Sequence, residues 1–264
     1  MKLKMSMLAS SALFFFLMAG GAILSNLGQG LDLLWHFLAT VGVALALYYP
    51  LQKWSSAKKN IWNALSTALI LFLVLHYGPN PIDHIYAGVI TALAIFWKFF
   101  GGSKGSPWVN PAAAAILVIW GLAHFVPVLD LPNISWWGAS FKGWVSLVLV
   151  GLWIVFGLRP WKKYWALGAF LLAHFVFLVL FGESKDFIQY VFLDSTLYFF
   201  ASVMLIEPKT SPFIPKKQVL YGVLAALLYT ELFILKVPQF ALWTLVVMNG
   251  VNLYMNIKPN SKVS

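Results

Sequence analysis

Two short stretches of this chain gather glycine, proline and polar side chains in a pattern that no continuous helix tolerates. The first runs Gly101-Gly102-Ser103-Lys104-Gly105-Ser106-Pro107 and leads into Asn110, Pro111 and a run of alanines. Asparagine caps helix N-termini well and proline suits the first helical position, so a helix is expected to start at Pro111. Its first-turn amides have no acceptor inside the helix. With Lys104 beside them they favour a phosphate or another anion. The small side chains from Ala112 to Ala115 let a flat ligand or another helix come close. The plainer alternative is an ordinary capped helix start. The second stretch reads Glu207-Pro208-Lys209-Thr210-Ser211-Pro212. Its two prolines bracket a Thr-Ser pair, interrupt a helix and free backbone carbonyls. Its alternative is a solvated surface loop.

Three ionisable residues, Asp194, Glu231 and His174, fall within apolar runs. Such groups cost a few kcal/mol each in a bilayer and are candidates for function. They are expected to meet in one leaflet as a cation or proton relay. The alternative is one hydrogen-bonded polar group per helix, with Glu231 reaching outward. The histidines, His36, His76, His84, His124 and His174, raise a haem protein as a rival, with two axial imidazoles from facing helices. His124 and His174, each within Leu-Ala-His-Phe-Val, would be the ligands, although the paired spacing usual for such haems is missing. The sequence holds no cysteine. That removes disulfides, thiolate zinc sites, cysteine-ligated iron–sulfur clusters and cysteine nucleophiles. No metal site and no acid–base triad is suggested by the spacing of the remaining residues.

The elements that must carry these residues are membrane helices. Hydrophobic residues make up 61% of the chain and charged ones 10%, where a soluble domain carries about 25% charged. The apolar residues lie in runs near the length of about 20 that a span needs. The expected spans are Met7–Leu24, Leu31–Leu51, Ile61–Leu75, Ile85–Phe100, Pro111–Leu129, Trp144–Leu158, Tyr164–Phe181, Phe187–Leu205, Leu220–Leu235 and Phe240–Met255. Of the 18 lysines and arginines, only Lys142, Lys185 and Lys236 fall in one set of alternate loops. The positive-inside rule places the richer set, and both termini, in the cytoplasm. Asp32, Asp83, Asp130, Glu183 and Asp186 fall on the outer side, and tryptophans cluster near span ends as an interfacial belt. The net charge of +10 is dispersed among these loops, which argues against a nucleic-acid partner. Lys2 and Lys4 followed by an apolar run also admit a signal peptide, which would leave nine spans. The expectation is an all-α, polytopic transmembrane bundle of about ten spans, forming a single membrane domain over residues 1–264.

An internal repeat is expected over about 31–129 and 144–235. Lys104-Gly105-Ser106-Pro107-Trp108-Val109 echoes Lys209-Thr210-Ser211-Pro212-Phe213-Ile214. Trp62 and Asp83 echo Trp165 and Asp186, and Val41-Gly42 echoes Val150-Gly151. Four spans separate the matched loops, so this register is parallel. Short or interrupted helices at matching positions are the best pointer to a membrane binding site.

With these residues in view the chain resembles the RnfD/NqrB family. Gly101, Gly102, Gly105, Asn110, Pro111 and Ala112 look like its glycine-rich Phe-Asn-Pro-Ala motif. Glu207-Pro208-Lys209-Thr210-Ser211-Pro212 resembles its Thr-Asp-Pro-x-Thr/Ser-x-Pro motif, with Glu207 in place of the aspartate. The resemblance runs from about Leu31 to Met255. It implies a membrane subunit of a complex that carries electrons from NADH or ferredoxin and couples this to Na⁺ or H⁺ translocation across the prokaryotic cytoplasmic (inner) membrane. It also implies two five-helix halves of inverted topology, at odds with the parallel register. The cofactor it implies is FMN or riboflavin, and the partners are other subunits or a separate flavin or iron–sulfur reductase. The family's Ser-Gly-Ala-Thr flavinylation motif is absent. The nearest stretch, Ile134-Ser135-Trp136-Trp137-Gly138-Ala139-Ser140, has Trp137 before Gly-Ala and Ser140 after it. A non-covalent flavin is therefore expected, held by Gly101, Gly102, Lys104, Gly105, Asn110 and Pro111 on one side. Glu207, Lys209, Thr210 and Ser211 would hold it from the other, with Asp194, Glu231 and His174 serving ion movement. A transporter or channel without redox chemistry is the alternative class.

Overall fold

The computed structural model describes residues 19–20, 30–55, 60–103, 106–126, 134–137, 148, 151–158 and 161–256. Most of the first expected span and part of the sixth lie outside the described residues, as do Lys104, Gly105 and Ser140. The described chain is all-α apart from one small hairpin. Three helices are long and apolar enough to cross a membrane: α1 (Gly30–Trp54), α3 (Pro81–Phe100) and α8 (Pro215–Ile234). Between them lie shorter apolar helices, α2 (Ile61–Val74), α4 (Pro111–Phe125) and α5 (Tyr164–Leu180). The pair α6 (Lys185–Leu193) and α7 (Ser195–Leu205) follows α5, and α9 (Phe240–Asn256) closes the described chain.

The span expected over Phe187–Leu205 is not continuous. It breaks at Asp194, where the two halves bend by 57°. The cause is local capping. Asp194 has extended backbone, and its Oδ1 accepts a hydrogen bond from Thr196 N at 2.9 Å, which starts a second helix. An apolar run measures hydropathy and is blind to such a cap. Past the break, the backbone from Phe200 to Leu205 winds as a π-helix and is wholly buried. Two other π turns lie at Leu38–Gly42 in α1 and Trp153–Gly157. Such turns often mark functional positions in helices.

Length decides where the short helices can sit. The 14 residues of α2 span about 21 Å at 1.5 Å per residue, well short of the roughly 30 Å of bilayer hydrocarbon. Protein covers α2 on nearly every face, from Asn63 through Val74. It is an interior helix from Asn63 onward, with Asn60 and Trp62 exposed at its start. The most extensive helix pair is α5 with α8. Gly222 permits it, because a Cβ there would lie 2.5 Å from the Ala166 carbonyl oxygen. Helix α3 packs on both α1 and α4.

The two matched loops differ in form. The first folds as a hairpin, β1 (Gly102–Ser103) against β2 (Ser106–Pro107). Its tightness fixes Gly102, since a Cβ there would collide with Ser106 O. The second, after α7, is a series of turns, and its partner span is broken where α3 is straight.

Candidate functional site

The two glycine- and proline-broken loops meet. Asn110 caps α4, its Oδ1 accepting from Ala113 N at 3.1 Å. The same side chain donates from Nδ2 to Glu207 Oε2 at 2.9 Å across 97 residues of sequence. Asn249, fully buried on α9, joins the loops a second time. Its Oδ1 accepts from Asn110 N at 2.7 Å and its Nδ2 donates to Thr210 O at 3.3 Å. One asparagine in an apolar span therefore holds both motif loops in register. Asn249 escapes a reading of the sequence that looks within spans for ionisable residues alone.

Most carbonyls of the second loop are taken up by hydrogen bonds, as buried backbone requires. Tyr221 donates to Leu205 O, Ser211 Oγ to Glu207 O, and Gln218 Nε2 to Phe213 O. Lys163 is completely buried and donates to Ser211 O at 2.9 Å and Pro212 O at 2.6 Å. Its ammonium also lies 3.7 Å from the centre of the Phe213 ring. Burial pulls the Lys163 ammonium down to about 7. Thr210 and Ser211 are buried. Thr210 Oγ1 donates to Glu207 Oε2 at 3.5 Å, so the pair braces Glu207 from behind.

Where the loops join lies a cavity of about 140 Å³, or about 740 Å³ with its open mouth counted. Asn63, Ser66, Thr67, Lys98, Asn110 and Glu207 form its polar wall, with Lys209 at the rim. Ile70, Pro111, Trp161, Val203 and Pro208 give it an apolar side. Two helix N-termini, those of α2 and α4, end here, together with the C-terminal ends of α3 and α7. Lys98, on the last turn of α3, is 4% exposed. It donates to Asn63 O at 2.7 Å and to Thr67 Oγ1. A buried cation at a helix C-terminus complements that end's partial negative charge. The Trp161 ring packs edge-on against Trp153 at 5.2 Å.

Of the residues expected to bind a cofactor, Asn110, Pro111, Glu207 and Lys209 line this cavity. Gly101 and Gly102 shape the hairpin behind it. Lys98, Asn63, Ser66, Thr67 and Trp161 join the lining without being among the expected residues. Lys98 falls inside the expected span and belongs to the last turn of α3.

Among the described residues no hydrogen bond joins the three residues expected to form the relay to one another. His174 Nδ1 lies 2.7 Å from Thr230 Oγ1, whose hydroxyl donates to Ala226 O at 2.6 Å. The hydroxyl hydrogen is thus taken, and Nδ1 carries the proton as donor. His174 Nε2 is buried with no partner among the described residues. Tyr229 touches the His174 ring edge-on at 5.1 Å. Asp194 is half-buried at the helix break, and Glu231, the residue after Thr230, is exposed. His124 is exposed and stacks on Trp120. Among the described residues no hydrogen bond or ring contact joins it to His174. No cluster of three or more potential metal ligands occurs among the described residues.

A second polar core lies near the other end of α2. Phe72 O accepts from both His36 Nε2 at 3.1 Å and Trp137 Nε1 at 2.8 Å. In the sequence His36 is one histidine among five; in the fold it is fully buried.

Comparison with family models and with curated proteins finds no match.

Proposed function

We propose that this chain is a multi-pass subunit of a flavin-dependent electron-transport complex in a prokaryotic cytoplasmic membrane, similar in kind to RnfD/NqrB proteins and linked to movement of Na⁺ or H⁺. One observation carries the reading. The two motifs that carry the resemblance, 97 residues apart, close on one cavity through Asn110 and Glu207. Chance similarity between two loops gives no reason for them to share a site.

The lining fits a flavin. The cavity's volume of about 140 Å³ is near that of a cavity that holds one benzene ring, about 150 Å³. The larger open cleft accommodates the rest of a tricyclic ring and its side chain. The apolar side offers flat contact and the polar wall offers hydrogen bonds, the usual make-up of a cofactor pocket. A bound flavin would supply the one- and two-electron chemistry. The chain's own residues would bind the ring, exclude water and hold charge beside it. Lys98 and Lys209 supply positive charge, and Glu207 supplies a fixed acceptor. Donor and acceptor partners would be other subunits or a separate reductase.

Vesicles containing the chain and supplied with a flavin or iron–sulfur reductase and its reductant test the reading. Electron transfer across the vesicle membrane that is lost in Asn110→Ala is expected. Solute uptake by vesicles that hold no flavin would replace this reading with a transporter, a class that the bent α6–α7 pair also suits.

A further inference from the structure

We propose that the ring bound between the two loops presents an imide edge, an N–H flanked by two carbonyls, and that Glu207 and Asn63 read it. This rests on the flavin reading and narrows it to a chemistry that excludes a quinone from the same cavity.

The cavity wall holds unused hydrogen-bonding capacity among the described residues. Glu207 Oε2 accepts from Asn110 Nδ2 and Thr210 Oγ1, whereas Oε1 accepts from nothing among the described residues. A ligand that displaces water from this half-buried carboxylate oxygen must offer a donor in its place, because leaving it unmade costs about 1–3 kcal/mol or more. Asn63 is 6% exposed and lines the same cavity. Its backbone oxygen serves Lys98 and Thr67, but its side-chain amide bonds to no described residue. An asparagine amide offers both donors and an acceptor. Ser66 Oγ spends its proton on Trp62 O at 2.7 Å, leaving lone pairs toward the cavity lining.

These demands specify the ligand's edge. Glu207 Oε1 requires an N–H or O–H. Asn63 Nδ2 requires an acceptor, and the Lys98 ammonium on the same wall favours an electron-rich one. A quinone ring carries acceptors alone and would leave Glu207 Oε1 unpaired. An imide satisfies both, with its N–H to Glu207 and a flanking carbonyl to Asn63. The apolar wall of Ile70, Val203 and Trp161 takes the far side of the ring.

Fluorescence titration of the purified protein with riboflavin, 3-methylriboflavin and menadione tests this. In 3-methylriboflavin a methyl group replaces the imide hydrogen. The wild-type chain is expected to bind riboflavin and to bind the methylated ring about tenfold or more weakly, the loss of one hydrogen bond to a charged group. Menadione should not displace riboflavin, and Asn63→Leu should weaken riboflavin by about tenfold. Equal affinity for both flavins, or displacement by menadione, overturns the imide assignment while leaving the flavin reading in place. Failure of the wild-type chain to bind riboflavin at all overturns the flavin reading itself. The methylated ligand is used on the unaltered protein, so the test survives if Asn63→Leu does not fold.

Discussion

At the residue scale, Asn110 joins three tasks in one side chain: it caps α4, donates to Glu207 and sits in the cavity wall. The tasks separate on substitution. Asn110→Ala removes the cap and the cross-loop bond, and is expected to lower stability by about 2 kcal/mol and to abolish ligand binding. Asn110→Asp keeps the cap but sets a second carboxylate against Glu207. It should retain more of the thermal stability while still losing the ligand, as melting curves and flavin content would report. Lys163 gives a pH signature. Its folded pKa is lowered by burial to about 7 from 10.5, so the unfolded chain binds more protons between those values. Stability then rises with pH across that window. The wild-type melting temperature is expected to climb from pH 7 to 9 relative to Lys163→Met, which lacks the titrating group. A difference between the two that falls over this range would refute the assignment.

At the scale of elements, capping decides more than hydropathy does. Asp194 turns one apolar run into two helices because its carboxylate captures the Thr196 amide. Asparagine caps almost as well as aspartate, so Asp194→Asn should preserve the fold, whereas Asp194→Ala should cost about 1 kcal/mol. If the carboxylate's charge serves ion movement, Asp194→Asn loses ion-dependent activity with no loss of melting temperature. Gly102→Ala is expected to unseat the hairpin, since its Cβ would overlap Ser106 O. The same reasoning explains what is legible in sequence. The start of α4 at Pro111 follows from Asn-Pro, a signal carried within a few residues. The starts of α2, α5 and α9 follow from apolar runs. The break at Asp194 sits inside such a run and leaves no trace in average hydropathy. Asn249 and Asn63 are hidden for another reason: each is an uncharged amide, Asn249 acting through partners far away in the chain and Asn63 through the cavity it lines. Lys98 lies inside the expected span, but its burial against Asn63 and Thr67 depends on a neighbouring helix that the sequence alone does not place beside it.

At the scale of the whole molecule, helices cover a buried short element and converge their ends on one cavity, an arrangement that puts polar groups inside an apolar body. The exposed faces of the long helices are strongly apolar, with Ile85, Val89 and Phe96 outward on α3 and Leu220, Leu224 and Leu227 outward on α8, as lipid contact demands. Because the sequence has no cysteine, single cysteine substitutions report sidedness directly. Lys209→Cys should resist a membrane-impermeant thiol reagent added to intact cells, and Lys185→Cys should react. The reverse pattern would invert the expected orientation. A flavin held without a covalent bond in the cavity that Asn110 and Glu207 line, its loops tied by Asn249, is directly observable. The most direct measurement is the visible absorbance of the protein purified from membranes, followed by denaturation and separation of small molecules from the chain. The account predicts a flavin spectrum, flavin released wholly into the small-molecule fraction, and its loss from Asn249→Leu that still folds. A colourless wild-type protein, or a flavin that stays on the denatured chain, would contradict it.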